Sequence, residues 1–424
     1  MNTSPTAPTP APPTPLSAVL LFTFLNSVGT AVVTNGIFFL TRFSKFENYA
    51  LAMLLGVTYI IASLGAHPFL NWLGRRHDHF SARSVLAWMM IVLALLCTLP
   101  LAAARLAPEH RGASIWVLVG LYSPLTGVLW PLVESYLSGG RGGGSLRSAT
   151  GVWNVVWSAA GVLAYWSVSR VVKSSPSETL AVLGGVHAAA ALVLLRFEKE
   201  PGEHAPEYHE PHPPVYRTLL HTFRVLLPAT YIVLATLSPY LPSAMEELGV
   251  GADWYMPIAS CWMLSRVIGF AVFHRWAGWH GRWWPAILGG ILVLVGFGTC
   301  VMSPWISHRV PGIAGLGSMI GGLALFGLGL SVTYSAAIYY ALEVGQSEVQ
   351  AGGKHEALIG VGYTFGPFVG LAASQAERAG WIRQESFNPL VLGAVGLVGV
   401  AAAAIVVVRM LRHARPPGTI VTGR

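Results

Sequence analysis

The chain alternates long apolar stretches with short polar breaks over almost its whole length. An apolar stretch of ~20 residues is long enough to cross the ~30 Å hydrocarbon core of a bilayer as a helix. The pattern therefore predicts an all-α membrane protein of twelve transmembrane helices in two pseudo-symmetric six-helix bundles. These helices are predicted near 17–41, 49–73, 84–105, 113–138, 148–172, 179–195, 219–241, 254–275, 284–304, 312–343, 355–376 and 388–411.

Polar segments at both ends and in the middle divide the chain into five parts. Proline and small polar residues dominate 1–16 and cannot bury a core, so we expect a disordered cytoplasmic tail there. The two bundles are expected at 17–195 and 219–411, joined by a cytoplasmic linker at 196–218. A second cytoplasmic tail is expected at 412–424.

Composition excludes several classes of protein. Only 10% of the residues are charged and the mean hydropathy is +0.58, whereas a water-soluble domain carries about 25% charged residues. The net charge of +8 is scattered between apolar runs and forms no basic face, so no nucleic-acid partner is expected. The three cysteines show no metal-binding spacing, and we expect no metal and no cofactor. Most lysines and arginines fall in alternate loops, which predicts a cell (inner or plasma) membrane protein with both termini cytoplasmic.

The two halves repeat each other in sequence. Glu134 precedes Gly151 by 17 positions, and Glu343 precedes Gly360 by the same number. Both members of the second pair lie 209 positions after those of the first. This repeat indicates a duplicated six-helix unit, and duplicated bundles around a cavity near the bilayer midplane are typical of secondary transporters.

The loop "GRRHDHFSAR" between the second and third predicted helices carries Gly74, Asp78 and Arg83. These positions resemble the signature loop of the major facilitator superfamily. The loop between the eighth and ninth helices repeats part of it with Gly281 and Arg282. The resemblance implies the twelve-helix transporter fold, a monomer, and a role for these loops in holding the two bundles together on the cytoplasmic side.

Carboxylates near the predicted inner helix ends have two interpretations, and both stay open. Glu134, Glu343 and Glu356 could pair with loop arginines, as a carboxylate near the end of the fourth helix often does in the superfamily. Alternatively they take up a proton when their surroundings dry, because desolvation favours the neutral carboxyl. The second interpretation makes a proton the expected coupling ion.

Arg266 lies about midway through the eighth predicted helix, too deep to reach the membrane surface easily. A charged group inside a span is costly, so it indicates function by default. The sequence places Glu134, Glu343 and Glu356 near the inner surface, which leaves Arg266 without a carboxylate at its own level. We therefore expect it to bind an anionic group of the solute, with a fixed structural contact as the alternative.

Two polar stripes follow single helix faces. The first helix carries Asn26, Thr30 and Thr34, and the fifth carries Asn154, Trp157, Ser158 and Gly161. Such stripes serve as contacts between helices in many membrane proteins. The resemblance implies that the first and fifth helices line the transport cavity, so a substrate-binding role stands beside the structural one.

Together these features predict a secondary active transporter that moves a small solute by alternating access, coupled to protons as a symporter. The chain shows no ATP-binding motif and no cluster of catalytic groups, so it is not expected to be an enzyme. A receptor or scaffold that transports nothing is the main alternative, and a polytopic membrane enzyme is a weaker one.

Overall fold

The computed structural model describes residues 13–41, 43–76, 80–171, 175–202, 213–310, 312–344 and 349–414. All regular secondary structure in these ranges is helical. Eleven helical segments are long and apolar enough to cross a membrane. The chain is thus an all-helical, multi-pass membrane protein, as its hydropathy pattern predicted.

Among the described residues, the first half contains seven α-helices. Ser81 and Ser175 cap two of them, because each side chain accepts a hydrogen bond from the backbone three residues later. The predicted first span is interrupted by a π-helical turn at Ala31–Gly36. The helices are α1 (Leu16–Thr30), α2 (Ile37–Leu40), α3 (Lys45–Arg76), α4 (Ala82–Leu106), α5 (Arg111–Ser138), α6 (Gly143–Val171) and α7 (Pro176–Val193).

The second half contains eight helices. Its first helix begins at Pro214, inside the predicted linker, because proline suits the first turn of a helix and the following apolar residues pack inward. The predicted eighth span is broken at Ser260. The helices are α8 (Pro214–Leu237), α9 (Leu241–Glu247), α10 (Tyr255–Ala259), α11 (Cys261–Arg275), α12 (Trp284–Arg309), α13 (Ala314–Val344), α14 (Val349–Arg378) and α15 (Phe387–Ala414).

One predicted span is absent from the eleven apolar segments. Helix α6 has 29 residues, which is long enough to cross a bilayer. Its polar and aromatic residues, among them Asn154, Ser158 and Trp157, make it less apolar than the others. The same residues turn out to face the interior of the protein.

Helices pack within each half and across the boundary between the halves. In the first half α1 packs on α6 and α7, and α3 and α4 pack on α5. In the second half α13 packs on α8, α11 and α12. Helix α14 crosses the boundary to pack on α3 and α5, and α11 packs on α6.

Glycine makes the closest contact across this boundary possible. A Cβ atom at Gly56 of α3 would lie 2.1 Å from the carbonyl oxygen of Tyr363 on α14. A Cβ atom at Gly360 of α14 would lie 2.8 Å from Cβ of Ile60 on α3. Small residues at such crossings let helix backbones approach, which is the main source of packing energy between helices in lipid.

The two halves touch at both ends of the helical assembly. At the end where α3 begins, here called the far end, the Tyr49 hydroxyl donates to the Thr236 carbonyl at 3.0 Å. The side chains of Lys45 and Glu377 form an ion pair of 2.8 Å at the same end. At the opposite end, here called the linker end, α5 finishes against the beginning of α14 around Gly352.

Candidate functional site

A cavity of about 110 Å³ lies between the two halves. At ~10–15 Å³ per water molecule, this is room for several waters or one small solute. Helices α1, α3, α5 and α6 of the first half and α8, α11, α13 and α14 of the second half form its walls. The lining residues are Ser27, Thr30, Ala31, Thr34, Asn35, Leu55, Tyr59, Trp130, Trp153, Trp157, Gly161, Tyr231, Trp262, Met263, Arg266, Tyr334, Glu356, Ile359 and Tyr363.

Arg266 is the cationic group of this cavity and is only 4% exposed. Its guanidinium carbon lies 4.1 Å from the ring centre of Trp157 and 4.5 Å from that of Trp262, close enough for cation–π attraction to both. Its Nε donates to the Ser158 hydroxyl at 2.9 Å. Within the part of the chain that the structure describes, Arg266 has no ion pair and its terminal nitrogens have no hydrogen-bond partner. The fork of the guanidinium is therefore free to bind an anionic group.

Aromatic side chains make up most of the remaining wall. Tyr363 contacts Tyr59 and Tyr231 edge to face, with ring centres 6.0 and 5.4 Å apart. Trp157 packs in the same way on Tyr334 at 5.5 Å. Interlocked rings of this kind give rigid flat surfaces with polar edges, which suit a planar solute body.

A carboxyl cluster occupies the linker-end side of the cavity. Glu134 of α5 meets His355 and Glu356 of α14, and one potential ligand atom from each lies within 4.8 Å of the others. The Tyr59 hydroxyl donates to Oε2 of Glu356. Gly352 makes room for the Glu134 carboxyl, because a Cβ atom there would lie 2.6 Å from Oε2.

Two polar atoms of this cluster are buried without a hydrogen-bond partner among the described residues. They are Oε1 of Glu134 and Nε2 of His355. Burying a polar atom without a hydrogen-bond partner costs free energy, so such atoms indicate a position where a proton, an ion or a water molecule binds. By residue type, two carboxylates and an imidazole could hold a proton or a divalent cation.

The structure brings Glu356 onto the wall of the cavity that Arg266 lines. Helix α14 begins at Val349, which carries Glu356 two turns into the helix. It lies on the linker-end side of the cavity, beside Glu134.

Only part of the predicted stripe on the first helix lines the cavity. Thr30 and Thr34 line the cavity, and the Thr34 hydroxyl donates to the Thr30 carbonyl at 2.7 Å. Asn26 does not line it. Its Oδ1 is 3.2 Å from Nδ1 of His187, whose Nε2 is 3.0 Å from the Tyr122 hydroxyl. Asn26 therefore takes part in a buried network that joins α1, α5 and α7.

Residues of the stripe on the fifth predicted helix line two different cavities. Trp157 faces the central cavity, and its Nε1 donates to Oδ1 of Asn154 at 3.1 Å. Asn154 itself lines a second cavity nearer the linker end, together with Arg147, His274 and His280. Burial and the charge of Arg147 lower the pKa of His280, in the loop between α11 and α12, to about 4. This second cavity carries only neutral and cationic side chains among its lining residues.

The signature-loop residues are only partly described. Asp78 lies outside the described residues, as do the side chains at Gly74 in α3 and Glu343 in α13. Arg83 donates from Nη1 to the Phe197 carbonyl at 3.0 Å, so it contacts the beginning of the linker and not Glu134.

The corresponding loop of the second half forms a tight turn. Gly281 has φ +68°, which favours glycine, and its N–H donates to the Tyr340 hydroxyl at 2.9 Å. Arg282 is exposed beside it.

Sequence reasoning missed the tyrosines and His355 as site residues. Tyrosine and tryptophan in an apolar span carry no sign of which way they face, because both also occur facing lipid. A usable signal existed for His355, which directly precedes Glu356 at the start of an apolar stretch.

No protein-family profile matches the sequence, and no curated protein matches it either. Solved structures of the nucleoside transporter NupG do match in fold. For a point mutant of NupG the TM-score is 0.64 at 13% sequence identity, covering 92% of this chain and 99% of that chain. For a second NupG structure the TM-score is 0.55 at 15% identity, covering 95% and 99%. Over nearly its whole length, the chain shares the fold of the nucleoside transporter NupG.

Proposed function

We propose that this protein is a secondary active transporter of the major facilitator superfamily, built from twelve membrane spans in two six-helix bundles. It moves a small solute by alternating access and couples that movement to protons. The observation that carries the proposal is the cavity between the halves, which is lined by Arg266, a cation without an ionic partner among the described residues. The fold shared with NupG and the internal repeat of the sequence support it. The bias of basic residues supports a place in the cell (inner or plasma) membrane with both termini in the cytoplasm.

The contacts between the halves fit alternating access. Both halves contribute to the cavity wall, so a solute within it touches both. Contacts such as Tyr49 with Thr236 join the halves at the far end, and α5 packs against α14 at the linker end. Exchange of solute requires one set of contacts to break while the other persists. A symporter arises when proton and solute must both be bound before the halves move.

The lining indicates the chemistry of the solute. Arg266 offers a planar fork for a carboxylate or phosphate, and its flanking indoles with four tyrosines offer flat walls. We propose a small organic solute with a planar body and an anionic or strongly hydrogen-bonding group. NupG is a nucleoside transporter, so nucleosides are the first solutes to test, followed by nucleobases and aromatic carboxylates.

Uptake into liposomes with an imposed proton gradient tests the proposal. The wild-type protein should accumulate one class of that panel, and R266A should abolish accumulation while melting at a similar temperature. R266K should recover only part, because an ammonium cannot form the bidentate contact. Arg309→Ala is a matched control, since Arg309 also stacks on a tryptophan, Trp305 at 4.6 Å, but lies outside the cavity lining.

Two outcomes count against the proposal. Normal uptake by R266A, or a variant that no longer folds, would make Arg266 a structural residue. A wild-type protein that binds a solute without moving it would be a receptor.

A further inference from the structure

The carboxyl pair Glu134–Glu356 lies on the boundary between the halves. Glu134 stands on α5 of the first half and Glu356 on α14 of the second, and they are 6% and 4% exposed. One carboxyl oxygen of Glu134 lies within 4.8 Å of one carboxyl oxygen of Glu356. This pair therefore brings two buried acidic groups together across the boundary between the halves at the linker end.

Two carboxylates this close cannot both be ionised in a dry site unless a cation compensates them. Among the described residues, neither member has an ion pair with lysine or arginine. One proton between the two carboxyls supplies the missing positive charge. The titratable and charged groups that surround the pair are Tyr59 of α3, Arg224 and Tyr231 of α8, Arg266 of α11, Tyr334 of α13, and His355 and Tyr363 of α14.

We propose that Glu134 and Glu356 share a single proton, that this is the binding site of the coupling ion, and that the shared proton holds α5 against α14. The site rests on the proposed function, because it names where the coupling proton binds. When the proton leaves, two negative charges face each other across the boundary between the halves. Their repulsion separates α5 from α14 and opens the linker end.

The position of Glu356 explains how the proton and the solute are linked. Its carboxyl contributes to the wall of the cavity that Arg266 also lines. Opening at the linker end therefore exposes the proton site and the anion-binding arginine to the same water. When the proton binds again, the contact between α5 and α14 is restored and the cavity closes over the solute at the linker end.

Distance measurements between spin labels test this without any solute. One label is placed at Gly144→Cys at the start of α6, where added side-chain atoms meet nothing within 4 Å, and the other at the exposed Arg412→Cys at the end of α15. Cys261 is replaced by serine because it is the one free cysteine that is not fully buried in the described chain. The protein is reconstituted in nanodiscs and measured from about pH 5 to about pH 9, so that the pair is sampled with and without its proton.

The expected result is a single short distance at low pH and a growing longer one as the pH rises. E134Q and E356Q each remove one charge, so both variants should keep the short distance throughout. Glu109→Gln, an exposed carboxyl outside the pair, should behave like wild type. The shared proton would be refuted if the distance in the wild-type protein did not change with pH. It would also be refuted if E134Q and E356Q showed the same change with pH as the wild type.

Metal binding is a separate outcome that also overturns the proposal. A stoichiometric Mn²⁺ or Zn²⁺ ion that binds wild type but not E134Q would assign the cluster to a metal. The proposed function fails separately, because the distance measurements use neither solute nor gradient. If R266A-sensitive uptake is found and the pH response is absent, only the carboxyl pair is wrong.

Discussion

Arg266 of α11 donates from Nε to the Ser158 hydroxyl of α6 at 2.9 Å, and this bond joins the two halves in the wall of the central cavity. Because this bond occupies Nε, a bidentate ligand has the two terminal nitrogens of the guanidinium to bind. Ser158 thus fixes the direction in which the fork of Arg266 points, while the flanking indoles fix its plane.

S158A should weaken solute binding without abolishing it. Loss of one hydrogen bond to a charged group costs about 1.5–3 kcal/mol, or roughly 10- to 150-fold in affinity at 25 °C. The solute dissociation constant of the purified protein measures this. Ser169→Ala on the exposed side of the same helix is the control and should leave affinity unchanged. Equal affinities for wild type and S158A would show that Arg266 needs no orientation by Ser158.

Asn26 should prove to be a structural residue. It is 1% exposed, and it bonds to His187 and to the Phe22 carbonyl, away from the cavity. N26A should lower the free energy of unfolding by about 1–3 kcal/mol, because it leaves a buried imidazole nitrogen unpaired. Solute affinity should stay near that of wild type.

Asn35 provides the comparison for Asn26. It lines the cavity, and its Oδ1 accepts a hydrogen bond from the Ser238 hydroxyl of the other half at 3.3 Å. N35A should therefore change affinity more than N26A does. Thermal melting and solute binding on both variants separate the roles, and an affinity loss in N26A without a loss of stability would contradict this assignment.

Gly370 controls closure at the far end. A Cβ atom there would lie 2.1 Å from the Tyr49 ring, whose hydroxyl bonds to Thr236. G370A should force Tyr49 outward and favour the state that is open at the far end. Labelling of a cysteine at Thr34 in the cavity by a membrane-impermeant reagent applied to the far side should become several-fold faster.

Gly393→Ala is the matched control for that experiment. Gly393 also lies within a long helix, but an added Cβ atom would meet nothing within 4 Å. In the Gly393→Ala variant, the cysteine at position 34 should be labelled as fast as in the protein with Gly393 unchanged. An identical rate in G370A would show that Tyr49 does not limit access from the far end.

The sequence predicted the helices and singled out Arg266 as a candidate site residue, because both follow from local polarity. A charged residue in an apolar run is visible without knowing its neighbours. The contact between Glu134 and Glu356 was not predictable in this way. The internal repeat relates Glu134 to Glu343, whereas the pairing in space depends on how α5 crosses α14, more than 200 positions later in the chain.

The polar stripes show the same limit more sharply. Helical spacing predicted one stripe of Asn26, Thr30 and Thr34, but it could not show which of the three line the cavity. His187 of α7 packs against α1 at Gly29 and takes Asn26 as its partner. Thr30 and Thr34 therefore line the cavity while Asn26 does not, for a reason that lies on another helix.

His280 should make the stability of the linker end depend on pH. Its ring stacks on Tyr339 with centres 4.3 Å apart, and burial together with the charge of Arg147 lowers its pKa from an ordinary value near 6.5 to about 4. Because the unfolded chain binds this proton first, the free energy of unfolding should fall as the pH drops from about 6.5 to about 4. The melting temperature of the wild type should fall over the same pH range, and this fall should be smaller in H280Q. The difference should be partial, because solvent screens the charge of a half-buried group. His110→Gln, at an exposed position, should leave the pH dependence of the melting temperature unchanged. The same pH dependence in H280Q and in the wild type would refute the assignment.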